Sequence, residues 1–171
     1  MINIHMDISV VVPLFNEEES LPELTAWIDR IMTANHFSYE IILVDDGSKD
    51  KTYSIMKEFA KKYEHFEPIT KPNGGHGATV LYGYHYAIKQ GADFVFQTDS
   101  DGQTLPEEFE QFWKERNNYA MVIGHRKGRQ DGLSRVFVTK TLKYVCKVCF
   151  RVTVTDANTP FRLMKADILE E

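Results

Sequence analysis

The chain has 171 residues, of which 43% are hydrophobic, and its 20 Lys and Arg against 25 Asp and Glu give a formal net charge of −5. These values lie near the globular average and exclude wholesale disorder and collagen-like or coiled-coil architectures. A mildly acidic chain without a run of basic residues argues against nucleic acid as a partner. Two cysteines cannot frame a small secreted scaffold, so we expect a cytoplasmic protein.

Membrane and targeting segments are not expected within these residues. Residues 1–7 contain no Lys or Arg, and Pro13 interrupts the apolar stretch that follows, which argues against a signal peptide. No stretch approaches the roughly 18 consecutive apolar residues of a membrane-spanning helix. Because residues 168–171 end without a closing turn signal, we expect the chain to be truncated and the protein to continue beyond residue 171.

Short apolar runs rich in β-branched residues recur along the chain and predict buried strands. Four of them lie at 8–12, 40–44, 93–97 and 120–124, and a further strand is expected near 68–70. Amphipathic segments separate these runs. Strands that alternate with helices predict an α/β fold, with a mostly parallel central sheet and helices on both faces.

Capping signals mark where the helices between the strands begin. Ser20–Glu23 and Thr104–Glu107 have capping-box spacing, and Asp50 is expected to cap the second helix. The third helix follows a glycine-rich turn that contains His76. A substrate contact by His76 is one interpretation, and a turn residue is the favoured one. Small residues in this helix predict close packing, and they are Gly77, Gly83 and Ala87.

Polar residues follow four of the predicted strands, where an open α/β sheet binds its ligands. They are Asn16 and Glu17 after the first strand, Asp45 and Asp46 after the second, Asp99, Ser100 and Asp101 after the strand at 93–97, and Arg126 after the last. Carboxylates gathered at one sheet edge repel one another unless a cation or a hydrogen-bonding ligand offsets the repulsion. The pattern therefore predicts a binding site at this edge.

Asp99 and Asp101 form an Asp-x-Asp step at the end of a strand. Two such carboxylates can hold a hard divalent cation, Mg²⁺ or Mn²⁺, and leave ligand positions open for phosphate oxygens. An isolated Asp-x-Asp is equally well explained by a solvated turn. The equivalent position of Asp45 and Asp46 after another strand favours a metal site.

Six segments carry a further pattern, namely residues 11–18, 42–50, 74–78, 98–103, 123–126 and 156–163. In this order they resemble glycosyltransferase family 2, in particular dolichol- or polyprenyl-phosphate mannosyl or glucosyl synthases. The resemblance implies a Rossmann-like GT-A fold, the fold of nucleotide-diphospho-sugar transferases, as one domain over residues 1–171. A nucleotide-sugar half would span about 1–126 and an acceptor-side half about 127–171. It also implies inverting transfer of a sugar from a UDP- or GDP-sugar.

The resemblance further implies roles for individual residues. Those implied to bind the nucleoside are Pro13, Phe15, Glu17, Val44, Asp45 and Asp46. Those implied at the ribose, diphosphate, metal and sugar are Asp99, Ser100, Asp101 and Gln103, with Asp101 as chief metal ligand. Those implied to meet the diphosphate or an acceptor phosphate are Arg126 and Arg135.

The resemblance to the family is weaker on the acceptor side. There, Pro160 replaces the usual Gly in the segment that resembles the family's Asp-x-x-Ser-Gly-Phe pattern. A sugar hydroxyl as acceptor would require a general base, for which Asp156 is our candidate. A phosphate acceptor is already ionised near neutral pH. Many members of the resembled family that glycosylate hydroxyls carry an acidic pair further along the chain, and residues 1–171 show no clear counterpart. The sequence therefore favours a polyprenyl phosphate over a growing cell-surface glycan. We then expect peripheral association with the inner face of the membrane through residues beyond 171.

Two other functions compete with this interpretation. One is a non-catalytic nucleotide-sugar-binding module or inactive fragment, which stays open. The other is a phosphatase or phosphomutase with an Asp-x-Asp nucleophile. That class requires the aspartate after the first strand and Thr four residues later, whereas Gln103 stands at that position here. The sequence therefore disfavours it.

Overall fold

The structure is a computed structural model and describes residues 6–34, 38–100, 106–124 and 159–169. The chain divides into two compact units, one of residues 1–122 with 161–171 and one of residues 123–160. The second unit lies almost entirely outside the described residues.

A six-stranded sheet with the order β3-β2-β1-β4-β6-β5 forms the centre of the described part. Its strands are β1 (Met6–Leu14), β2 (Tyr39–Asp45), β3 (Phe66–Thr70), β4 (Ala92–Gln97), β5 (Met121–Ile123) and β6 (Arg162–Lys165). Strands β1 to β4 are mutually parallel, whereas β6 runs antiparallel to β4, with Arg162 opposite Gln97. The prediction of a mostly parallel sheet is confirmed.

Helices cover both faces of this sheet, as predicted. They are α1 (Leu21–Ala34), α2 (Thr52–Lys62), α3 (His76–Gln90), α4 (Pro106–Glu115) and α5 (Ala166–Leu169). Because successive side chains of a strand point to opposite faces, β1 contributes to two cores. Val10 and Val12 pack with residues of α1, α2 and α4, while Val11 packs with residues of α3.

Helix α3 lies unusually close to the sheet at Gly83. A methyl group there would collide with Val11 Cγ1 and stand 3.3 Å from Val44 Cγ2. Ala87 is also fully buried. The same expectation for Gly77 is wrong, because nothing lies within 4 Å of the position its Cβ would take. Gly77 is in the first turn of the helix, beyond the packed part of the interface.

The helix starts differ in part from the capping signals. The Ser20 hydroxyl donates to a carboxylate oxygen of Glu17, and among the described residues no hydrogen bond joins Ser20 to Glu23, so the predicted capping box is not formed. Asp50 does stabilise the start of α2, since its Oδ1 accepts the Thr52 N–H at 3.0 Å, although Lys51 occupies the N-cap position. Thr104 lies outside the described residues. Among the helices of the described part, none combines the length and apolar character needed to cross a bilayer.

Candidate functional site

A cavity of about 470 Å³ opens at the carboxyl ends of β1, β2 and β4. This volume is in the range of small-molecule sites, and the position is where parallel α/β sheets bind ligands. The residues that line it are Pro13, Leu14, Phe15, Glu17, Asp46, Asn73, Gly75, His76, Thr79, Asp99 and Ser100.

The loop after β1 is fixed by hydrogen bonds to the loop after β2. Asn16 has a φ of 55°, a left-handed conformation that Asn tolerates better than most residues. Its backbone N–H donates to Ser48 Oγ at 2.9 Å, and its Oδ1 accepts the Lys49 N–H at 2.9 Å. The Glu17 N–H donates to Thr52 Oγ1 at 2.8 Å. These contacts hold Phe15 and Glu17 on the cavity wall.

Asp46 joins the end of β2 to the loop that precedes α3. It is only 4% exposed, and Lys71 Nζ contacts its Oδ1. The N–H groups of Gly74 and Gly75 donate to its two carboxylate oxygens at 2.8 and 2.9 Å. Burial raises the pKa of Asp46, but hydrogen bonds from Lys71, Gly74, Thr79 and Gly75 outweigh it and lower the pKa to about 2. Asp46 is therefore ionised at neutral pH.

The two loops that meet at Asp46 approach too closely for a side chain at Gly47. This glycine has a φ of +71°, and a Cβ on it would lie 3.0 Å from the backbone nitrogen of Asn73. The Asn73 side chain in turn donates to the Asp46 carbonyl at 3.0 Å. The β2–α2 loop and the 71–75 loop thus form one continuous wall of the cavity.

Asp99 and His76 lie next to each other on the cavity wall. Asp99 Oδ1 lies 3.9 Å from His76 Nε2, and their side chains are 29% and 62% exposed. Within the described ranges no group of three or more His, Cys, Asp or Glu is arranged to hold a metal ion. Of the predicted pair of metal ligands, only Asp99 belongs to those ranges.

A buried polar network lies behind Asp99, between α3, β4 and β6. The Tyr84 hydroxyl donates to Oε1 of Gln97, which is only 2% exposed. Burial, against a smaller opposing effect of Arg162, raises the pKa of Tyr84 to about 12, and the negative charge of Asp99 adds to the increase. This network connects the end of β4 to the packed interior.

The structure brings six of the predicted site residues to the cavity wall, namely Pro13, Phe15, Glu17, Asp46, Asp99 and Ser100. It does not bring Val44 and Asp45 there. Val44 is fully buried in the core beneath α3. The Asp45 carboxylate is 1% exposed and accepts hydrogen bonds from the Ser48 N–H at 3.1 Å and Thr70 Oγ1 at 2.7 Å. It fixes the loops after β2 and β3.

The remaining predicted site residues lie outside the described residues, and they are Asp101, Gln103, Arg126, Arg135 and Asp156. Conversely, sequence reasoning missed Lys71, Asn73 and Thr79, and it interpreted His76 as a turn residue. A usable signal was present, because Lys71 directly follows β3 at the same sheet edge as the other strand ends.

A family model described as "Glycosyl transferase family 2" matches residues 9–171. The chain is 30% identical over 166 residues to the undecaprenyl-phosphate 4-deoxy-4-formamido-L-arabinose transferase of Pseudomonas fluorescens (strain Pf0-1), covering 95% of this chain and 48% of that protein. It is 30% identical over 179 residues to the dolichyl-phosphate beta-glucosyltransferase ALG5D of Trichomonas vaginalis, covering 94% and 54%. The chain spans about half the length of these curated relatives.

Among solved structures, the chain is similar to glucosyl-3-phosphoglycerate synthase from Mycobacterium tuberculosis, crystallised with Mn²⁺, UDP and glucosyl-3-phosphoglycerate. The TM-score is 0.67 at 18% identity, over 95% of this chain and 58% of that one. This similarity shows the GT-A fold. With its cavity at the strand ends and a family match over almost all of its length, the chain belongs to glycosyl transferase family 2.

Proposed function

We propose that the chain is the nucleotide-sugar-binding domain of an inverting glycosyltransferase that transfers a sugar from a UDP- or GDP-sugar to a polyprenyl phosphate. The observation that supports this most is the composition of the cavity wall. An exposed aromatic ring, Phe15, stands on one side, and the Asp99 carboxylate follows the neighbouring strand β4. A nucleotide requires both an apolar face for its base and polar groups for its ribose and phosphates.

The nucleoside is expected to bind between the loop after β1 and the 71–75 loop. Phe15 is 47% exposed although it is large and apolar, so its ring is available for stacking on a base. Glu17 adds a carboxylate on the same wall, while the Asp46 carboxylate, already engaged by Lys71 and by the 71–75 loop, shapes that wall. The Glu17 carboxylate suits the N–H and hydroxyl donors of a nucleoside.

The diphosphate and a divalent cation are expected near Asp99 and Asp101. Carboxylate oxygens are the ligands that Mg²⁺ and Mn²⁺ prefer, and the exposed part of the Asp99 carboxylate lines the cavity. A bound cation would stabilise the charge on a departing nucleoside diphosphate as a Lewis acid. Crystallisation of the Mycobacterium tuberculosis synthase with both Mn²⁺ and UDP supports this assignment. Gln103, Arg126 and Arg135 stay proposed contacts to the same ligand.

The acceptor is proposed from chemistry and from two relatives. Both curated relatives act, by name, on polyprenyl phosphates, one undecaprenyl and one dolichyl. A phosphate acceptor is already a nucleophilic anion near neutral pH, so transfer would not depend on Asp156 as a base. Such a lipid would place the reaction at a membrane surface, which we propose to be the inner face.

Transfer to lipid is the experiment that tests this function. The protein is incubated with UDP-glucose or GDP-mannose, Mn²⁺ and undecaprenyl phosphate, and the glycolipid is detected by mass spectrometry. We expect a glycosylated lipid phosphate and release of UDP or GDP. If both nucleotide sugars bind but neither glycolipid formation nor slow sugar hydrolysis is detected, the result would instead support the non-catalytic module.

A further inference from the structure

His76 lies on the cavity wall with its ring open to a ligand. It is the first residue of α3, and its side chain is 62% exposed. Its Nε2 lies 3.9 Å from Asp99 Oδ1, which is longer than a hydrogen bond. Among the described residues, no hydrogen bond engages the ring. A donor beside Asp99 is therefore available to whatever fills the cavity.

The space beside the backbone is also open on each side of His76, although the Gly75 N–H already donates to Asp46. Gly75 and Gly77 flank His76, and nothing lies within 4 Å of the position that a Cβ would take on either. Gly75 is the N-cap of α3 and makes no side-chain capping hydrogen bond. The N-terminus of a helix favours anions, because its first N–H groups have no partner within the helix.

The charges around the cavity indicate which part of a nucleotide would meet this position. Lys71 is paired with Asp46, deep in the wall where its own side chain is 13% exposed. His76 instead stands next to Asp99, the residue proposed for the diphosphate side of the ligand. A ring N–H at the end of a 15-residue helix suits a phosphate oxygen better than an uncharged base.

We propose that His76 contacts the diphosphate of the bound nucleotide and contributes to recognising a nucleoside diphosphate over a nucleoside. The inference rests on the proposed function, since it assigns one contact within that site. It does not require the ring to be protonated, because a neutral imidazole still has one N–H donor.

Calorimetric titration tests the contact with UDP, GDP, uridine and guanosine as probes. In His76→Ala, we expect the affinity for the nucleoside diphosphate that binds to fall about tenfold or more, as for a lost hydrogen bond to a charged group. Affinity for the matching nucleoside should stay within twofold. His76→Gln retains an N–H donor and should retain most of the affinity. His85→Ala is the matched control, because His85 is an exposed histidine of the same helix outside the cavity.

Three results would overturn the assignment, and they can be told apart. Equal losses for nucleoside and nucleoside diphosphate, or no loss in His76→Ala, would remove the phosphate contact. A weaker affinity for Mn²⁺ alone in His76→Ala, with unchanged nucleotide affinity at saturating Mn²⁺, would show that His76 acts through Asp99 and not on the ligand. If the unaltered protein binds neither UDP nor GDP, the proposed function itself fails. Melting temperatures of the variants check that each is folded.

Discussion

Lys71 and Asp46 form a buried ion pair that joins two loops at the carboxyl edge of the sheet. Their side chains are 13% and 6% exposed, and 25 positions separate them in the chain. The pair closes one wall of the cavity, because the same carboxylate also accepts the N–H groups of Gly74 and Gly75. The ligand-facing surface of the 71–75 loop therefore depends on the ionised state of one residue.

Asp46→Asn should destabilise the fold, with a defined dependence on pH. Removing one partner of a buried pair costs about 3 kcal/mol, which we expect to see in urea unfolding at pH 7. The pKa of Asp46 is lowered from 3.8 to about 2 in the folded chain. The stabilising contribution of Asp46 is therefore fully present at pH values above 3.8, the pKa of this group in the unfolded chain. It is lost as the pH falls from about 3.8 to about 2.

The difference in unfolding free energy between the unaltered protein and Asp46→Asn should accordingly shrink between pH 5 and pH 3. Asp93→Asn is the control, because Asp93 is an exposed carboxylate at the opposite end of β4. A difference that is the same at both pH values would contradict the role of the Asp46 charge.

Gly83→Ala should destabilise the chain and Gly77→Ala should not. The added methyl at Gly83 meets Val11 and Val44, and overpacking of this kind costs about 1–3 kcal/mol. The methyl at Gly77 has open space, and Ala favours a helix over Gly by about 1 kcal/mol. Thermal unfolding of both variants compares them directly. Equal melting temperatures would show that α3 can move away from the sheet without loss.

Much of the fold follows from local sequence patterns. The runs at 8–12 and 40–44 predict buried strands, and alternate residues of β1 do face two different cores. The antiparallel direction of β6 does not follow, since residues 162–165 are too short to show a strand period. The open space at Gly77 could not be predicted either. Small residues in a helix do not reveal how far along that helix its contact with the sheet extends.

The site was predictable where a residue lies within two positions after a strand, as Asp46 and Asp99 do. Val44 and Asp45 show the limit of that rule. Successive side chains of a strand lie on opposite faces of the sheet, so a shift of one position is enough to place Val44 in the core. Asp45 is taken up by hydrogen bonds to Ser48 and Thr70. The partnership of Asp46 with Gly74 and Gly75 was not visible because it joins positions 28 and 29 residues apart.

Tyr84→Phe should lower stability by about 1–3 kcal/mol, because it leaves the buried carbonyl oxygen of Gln97 without its hydroxyl donor. Tyr82→Phe is the matched control, since Tyr82 is 43% exposed on the same helix. Urea unfolding of both variants gives the comparison. A loss in Tyr82→Phe as large as in Tyr84→Phe would show that the buried hydrogen bond is not the cause.

Phe15→Ala should weaken nucleoside binding about tenfold or more, as expected when an aromatic ring that stacks on a base is removed. Phe15→Tyr keeps the ring and should keep the affinity. Tyr119→Ala removes another exposed ring, 60% exposed and outside the cavity, and should have no effect. Fluorescence titration with UDP and GDP measures all three. Undiminished affinity in Phe15→Ala would place the base elsewhere.

We propose that carboxylates at the strand ends hold a cation that binds the diphosphate of a nucleotide sugar. The decisive test is calorimetric titration of Asp101→Ala and Asp93→Ala with UDP-glucose and GDP-mannose, with and without Mn²⁺. We expect Mn²⁺-dependent binding of at least one sugar nucleotide in the unaltered protein and in Asp93→Ala. In Asp101→Ala that binding should vanish while the melting temperature is unchanged. Unchanged binding in a folded Asp101→Ala variant would contradict the claim.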